Sequence, residues 1–378
     1  MNDCCGILPL YGRPEIVLEK TEACCVFDQH GRRYVDFESG VWAANLGHNH
    51  EAMAEALRRS LSGAFHHGYR FRNPESEALS DKLNALCAFP GGQSVFLSSG
   101  SEAVNLGLVI ARHCTKREKI VRMGNSYLSA YGFGRLAEDN PDRIDLAGND
   151  LAGIERVDWS SVAAVALELG GASIDVVSFP NEAFILRLCE CARTRGSLIL
   201  ADEVTTGFGR TGKWFGYQHY GIEPDVVVTG KALGNGYPVS AVTVSGNIAR
   251  VIDTQPMRYA QSHQNDPAGC AVANAVIDHF LAHDIVSLGK ATGLYFLDQL
   301  AHLQNKFPGQ IAEIRGRGLM LALQLHDEAT ALHIANGLFD DGFIVGHRGA
   351  SLRFMPPLVI TRDMIDALIE QLMKRLGM

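Results

Sequence analysis

The chain has 378 residues, 47% of them apolar, enough to bury one large core and a smaller second one. Its formal charge of -8, with acidic and basic residues interspersed and no basic tract, leaves no electrostatic footprint for nucleic acid or an anionic membrane. No apolar stretch reaches the ~20 residues of a membrane helix and no basic segment precedes an apolar one at the N-terminus, so a cytoplasmic small-molecule enzyme is expected.

In chain order, Cys25 to Asp28 and Tyr34 to Phe37 form an expected hairpin around His30-Gly31. From about residue 90 to about 250, short β-branched runs alternate with amphipathic stretches. The expected strands are Ser94 to Leu97, Lys119 to Arg122, Val162 to Leu167, Ser197 to Leu200, Val226 to Val228 and Ala241 to Val244. Helices are expected over Glu102 to His113 and Asn181 to Arg195, the second with Phe184, Leu186, Leu188 and Cys191 on one face. Apolar strands of this kind are buried on both faces, which predicts an α/β fold with a mostly parallel central sheet covered by helices. After Asn265-Asp266-Pro267 come a long helix, Cys270 to roughly His283, further helix, and the strand Met320 to Leu325. The expected division is an N-terminal segment, 1–45, packing with the small domain, a large domain, 46–269, and a smaller α+β domain, 270–378. The nine cysteines are odd in number and lack framework spacing, so inert thiols are expected, and Cys189 and Cys191 are not expected to hold a metal.

Three strand ends carry the candidate chemistry. In Leu97-Ser98-Ser99-Gly100-Ser101-Glu102-Ala103 a strand runs into a helix with Ser99 and Glu102 at capping-box spacing. Such a helix start exposes unpaired N–H groups, Gly100 allows close approach and Ser101 adds a hydroxyl, so a phosphate can rest there; a plain cap fits the same pattern. Asp202, in Ala201-Asp202-Glu203-Val204, follows the strand Ser197 to Leu200, where ligands of α/β sheets bind, although a cap or salt bridge would also use it. Further on, Val226-Val227-Val228-Thr229-Gly230-Lys231 ends in a lysine followed by a glycine-rich turn, suited to forming a Schiff base with a carbonyl carbon. A single lysine is most often a surface residue. The joint order of phosphate cup, carboxylate and lysine, each at a strand end, is what points to a site.

The segments Ser98 to Arg112, Leu200 to Gly212 and Pro224 to Lys231 resemble the class III (ornithine and acetylornithine type) aminotransferases of fold type I, which use pyridoxal 5'-phosphate. The resemblance extends to Asp36 to Gly40, Leu46 to His50, Ile314 to Met320 and Leu352 to Leu358, and so covers most of the chain. It implies that Lys231 carries the Schiff base and then shuttles a proton, while Asp202 keeps the pyridinium nitrogen protonated. It also implies that Gly100 and Ser101 grip the phosphate, that Tyr127 and Val204 lie against opposite ring faces, and that Glu168 and Thr205 belong to the cofactor pocket. Ser262 falls where the family has a threonine reaching the phosphate of the neighbouring subunit, which implies a homodimer with shared sites. Arg353 matches an arginine that forms a two-pronged pair with a substrate carboxylate, and Trp42 resembles pocket-lining residues. Tyr69 and Arg72 are weaker candidates for the same pocket.

The sequence departs from the pattern at four places. Tyr127 is followed by Leu128-Ser129 instead of His-Gly, Thr205 replaces a glutamine that meets the cofactor's 3'-oxygen, and the span from Tyr127 to Glu168 is short. Beyond Glu168, Leu169 to Ser173 lack the acid that in relatives pairs with the arginine equivalent to Arg353, so Arg353 is expected to be free for carboxylate. The implied reaction moves an amino group from a carboxylate-bearing amino acid or an omega-amine to a keto acid or aldehyde. The same cofactor site could instead serve an aminomutase, racemase or phospho-lyase, or a silent cofactor-binding protein, against which Lys231, Asp202, Ser101 and Arg353 argue. A nicotinamide site is not expected, because no Gly-x-Gly-x-x-Gly follows the first expected strand.

Overall fold

The computed structural model describes residues 6, 8, 10, 16–124, 126–135, 140–171 and 177–377. Strands β1 (Leu18–Glu22), β2 (Cys25–Asp28) and β3 (Arg33–Asp36) open the chain as an antiparallel sheet, the last two forming the expected hairpin. The central sheet follows, with β4 (Gln93–Leu97), β5 (Lys119–Met123), β6 (Arg143–Leu146), β7 (Val162–Glu168), β8 (Leu198–Asp202), β9 (Val226–Thr229) and β10 (Ser240–Val244). Their order is β4-β10-β9-β8-β7-β5-β6, and β6, β5, β7, β8 and β9 pair in parallel, while β10 runs antiparallel to both of its neighbours. The six strands expected from the sequence are all here; β6 is an addition.

Every residue of β7, β9 and β10 is buried, as the unbroken apolar runs require of strands covered on both faces. Because side chains alternate along a strand, Leu200, Val226 and Val228 meet the helix Gly100–Thr115 on one face, and Ile199, Ala201 and Val227 join the core containing the helix Glu182–Thr194 on the other. Each Val or Leu wholly buried in this way contributes roughly 1.5–3 kcal/mol.

The C-terminal part adds β11 (Ile311–Arg317), β12 (Met320–Leu325), β13 (Phe343–Ile344), β14 (Gly346–Arg348) and β15 (Ser351–Phe354). Strands β11, β12, β15 and β14 form an antiparallel sheet, whereas β13 pairs in parallel with β3 and ties the two ends of the chain together. The seven described cysteines are free thiols, and all but Cys114 are buried; burial pushes the Cys24 thiol up to about 12.

Candidate active site

The parallel strands β7, β8 and β9 all deliver their carboxyl ends to one edge of the sheet, the ligand edge of such folds. Register makes this exact in space: Glu168 at the end of β7 lies opposite Asp202 at the end of β8, and Asp202 lies opposite Val228 of β9. Lys231 follows β9 at the start of a short 3-10 turn, with a left-handed φ of 42°. Its Nζ donates to the Thr205 hydroxyl at 2.7 Å and lies 4.4 Å from the centre of the Trp42 ring.

Burial dominates the electrostatics here. It lowers Lys231 from the ordinary 10.5 to about 8, against the opposing pull of Asp202 and Glu168. Asp202 is only 4% exposed, and burial, aided by the charge of Glu168, raises its carboxyl well above the usual range. One Asp202 oxygen accepts from the Val204 N–H at 3.0 Å. A protonated pyridine nitrogen is the kind of partner this desolvated acid calls for, since it would repay the burial of the charge.

The helix Gly100–Thr115 starts beside this group. Its capping box is complete: Ser99 Oγ accepts from the Glu102 N–H, and Glu102 accepts from the Ser99 N–H. At Gly100 an added Cβ would stand 2.7 Å from Val204 Cγ1, so only glycine lets the helix start close on β8. Ser101 Oγ accepts from the Ala130 N–H, and the Glu168 carboxylate accepts from the Tyr127 N–H at 2.7 Å, which anchors the segment bearing that exposed ring. Gly100, Ser101, Tyr127, Glu168, Asp202, Val204, Thr205 and Lys231 therefore form one connected group. The free N–H groups of a helix start, the buried acid and the depressed lysine fit the phosphate, ring nitrogen and aldehyde of pyridoxal phosphate.

Ser262 is exposed on the loop before the helix Pro267–Ala282, and no contact among the described residues joins it to this group. Arg72 pairs with Glu77 at the surface, 2.6 Å away, and Tyr69 is largely exposed.

Arg353 overturns an expectation. It is held by Glu38 in a two-pronged pair, Nε to Oε1 at 3.0 Å and Nη2 to Oε2 at 2.6 Å, with both side chains nearly buried. The resemblance places an acid after β7 where this sequence has Ser173, which lies outside the described residues; among the described residues Glu38, near the other end of the chain, pairs with Arg353. The Trp42 ring lies 4.3 Å from Arg353 Cζ and its Nε1 donates to Glu38 at 3.1 Å.

Two further groups were not legible. Arg210 is fully buried and donates to Ser39 Oγ, Asn45 Oδ1 and the carbonyls of Leu319 and Pro356. Asp36 accepts from the N–H groups of Glu38 and Gly40, both at 2.8 Å, and pairs with His48 at 2.9 Å. Together they clamp Ser39–Trp42, whose φ values of 42°, 60°, 62° and 66° make a left-handed turn closed by the Trp42 N–H on the Glu38 carbonyl. An arginine inside Gly-Phe-Gly-Arg-Thr-Gly was the available signal for the first.

The Aminotransferase class-III family model matches residues 10–138 and 131–376. The chain is 30% identical to the acetylornithine aminotransferase of Bacillus subtilis (strain 168), covering 97% of this chain and 96% of that one. It is 29% identical to the acetylornithine aminotransferase of Archaeoglobus fulgidus, with 96% of each chain covered. The crystal structure of acetylornithine aminotransferase from Elizabethkingia anophelis superposes with a TM-score of 0.87 at 29% identity, covering 97% of this chain and 95% of that one.

Proposed function

Because the chain belongs to the class III aminotransferases, pyridoxal-phosphate-dependent enzymes that move amino groups, we propose roles for its residues on that chemistry. When bound, the cofactor supplies an electron sink for the pair released as the substrate's Cα–H bond breaks. Lys231 is the residue that holds the cofactor covalently through Nζ and afterwards carries the proton between carbon centres. A pKa of about 8 leaves that nitrogen partly neutral near physiological pH, as a nucleophile and base must be. Asp202 would keep a proton on the ring nitrogen, Gly100 and Ser101 would hold the phosphate, and Tyr127 and Val204 would contact the ring. Glu168 and Thr205 fix Tyr127 and Lys231 respectively. Trp42 and Arg353 line the substrate pocket.

The observation that carries this reading is the in-register trio at one sheet edge, Glu168, Asp202 and the residues leading to Lys231. Half-reaction spectroscopy tests it: amino donor alone should convert the bound cofactor to its amine form, with borohydride fixing label at Lys231 beforehand. Return of the starting spectrum without acceptor would refute transamination. We also place the enzyme in the cytoplasm as a homodimer in which Ser262 serves the partner's phosphate, supported by its exposure; no helix of the described residues is long and apolar enough to cross a membrane. A sedimentation mass of one chain would refute the dimer. The division at 45/46 and 269/270 is our domain proposal, and limited proteolysis that leaves no stable fragment ending near either boundary would count against it.

A further inference from the structure

Resting on the transaminase reading, we infer that Glu38 is a fixed counter-ion of Arg353, so that this pocket selects substrates whose far end carries no carboxylate. The pair is built in at both ends. Arg353 sits on β15, paired across to Ala322 and to Gly346. Glu38 is fixed at its backbone: its N–H binds Asp36 and its carbonyl accepts the Trp42 N–H that closes the left-handed turn. Its carboxylate takes three donors, two from Arg353 and one from Trp42 Nε1. The surroundings are shaped to that pair. A Cβ at Gly346 would stand 2.5 Å from Glu38 Oε1 and 2.8 Å from Arg353 Nε, so the strand beside them makes room only because it carries glycine there.

The chemical consequence follows from the geometry. Glu38 takes the Nε and Nη2 edge of the guanidinium and offsets its charge, so an incoming carboxylate meets a fork already engaged along one edge. An incoming carboxylate must displace a clamped acid or lie next to it as a like charge, while a neutral chain meets the flat Trp42 ring without breaking any of these contacts. Trp42 lies close to both Lys231 Nζ and Arg353 Cζ, so a substrate reacting at the lysine passes this ring before reaching the pair. The substrate class is therefore a primary amine, or an amino group at the end of an uncharged chain, with an aldehyde as the matching acceptor.

The test uses the holoenzyme and two unreactive probes of equal length, hexanoate and hexanol, titrated by calorimetry. Wild type should bind hexanol at least as tightly as hexanoate; tighter binding of the acid by about tenfold overturns the inference with no variant needed. In Glu38→Gln, affinity for hexanoate should rise about tenfold or more, the range of a charge-assisted hydrogen bond, while hexanol changes by less than about threefold. An unchanged or weaker hexanoate affinity in that variant overturns it. A general loss of packing would weaken both probes together, which also counts against the inference. Conversion of the bound cofactor by hexylamine reports on transamination separately, so failure of that reading is seen in a different signal.

Discussion

Lys231 should set the pH dependence of cofactor uptake. Only the neutral amine attacks an aldehyde, and with a pKa of about 8 roughly a quarter of the lysine is neutral at pH 7.5, against about one part in a thousand at the ordinary 10.5. Burial thus raises the reactive fraction by about two hundredfold near neutrality. The sign is that of a cation disfavoured by desolvation: the rate climbs about tenfold per pH unit below 8 and levels off above it. Asp202 opposes the shift by favouring the ammonium form, so Asp202→Asn should move the midpoint below 8. The assay is stopped-flow absorbance of apoenzyme mixed with pyridoxal phosphate across pH 6 to 10. A midpoint at or above about 10, or a midpoint that rises in Asp202→Asn, would refute the assignment of burial as the dominant cause.

Gly100→Ala should weaken cofactor affinity by about tenfold in a fluorescence titration, because the new methyl meets Val204 at 2.7 Å; Val204→Ala in the same chain should restore part of it, and no restoration would refute the steric cause. Arg210→Met should lower stability by about 3 kcal/mol in a denaturant melt, since Ser39, Asn45 and two carbonyls lose a buried donor; a change below about 1 kcal/mol would show that water replaces it. Asp202→Asn should cut the single-turnover half-reaction with an amine by at least about a hundredfold, the scale of a removed electrostatic contact, while the variant still takes up cofactor; an undiminished rate would remove Asp202 from the ring nitrogen.

The central sheet was legible because its strands are buried on both faces, so Val226 to Val228 and Val162 to Leu167 read as plain apolar runs. Strand β6 was not: Arg-Ile-Asp-Leu at the sheet edge keeps one residue buried, and two charges in four positions break the pattern. The mostly exposed Leu18–Glu22 escaped for the same reason. Around the candidate site, the placement of Lys231, Asp202 and Gly100 at or just beyond strand ends was legible because it is a local signal. Glu38 could not be matched with Arg353, since 315 positions separate them and only the docking of the first turn onto β15 brings them together. Nor does any local rule predict four consecutive left-handed residues at Ser-Gly-Val-Trp.

That turn has a consequence for the order of assembly. Each of Ser39, Val41 and Trp42 is held in a conformation about 1–2 kcal/mol above its right-handed alternative, so the segment has no tendency to adopt this shape in isolation. It is stable only once Arg210, Met355 and Pro356 are in position to grip Ser39 and its surroundings. The substrate pocket thus needs long-range docking to be finished, and a nascent chain lacking its final strands would carry its lysine and acid without a completed wall around them.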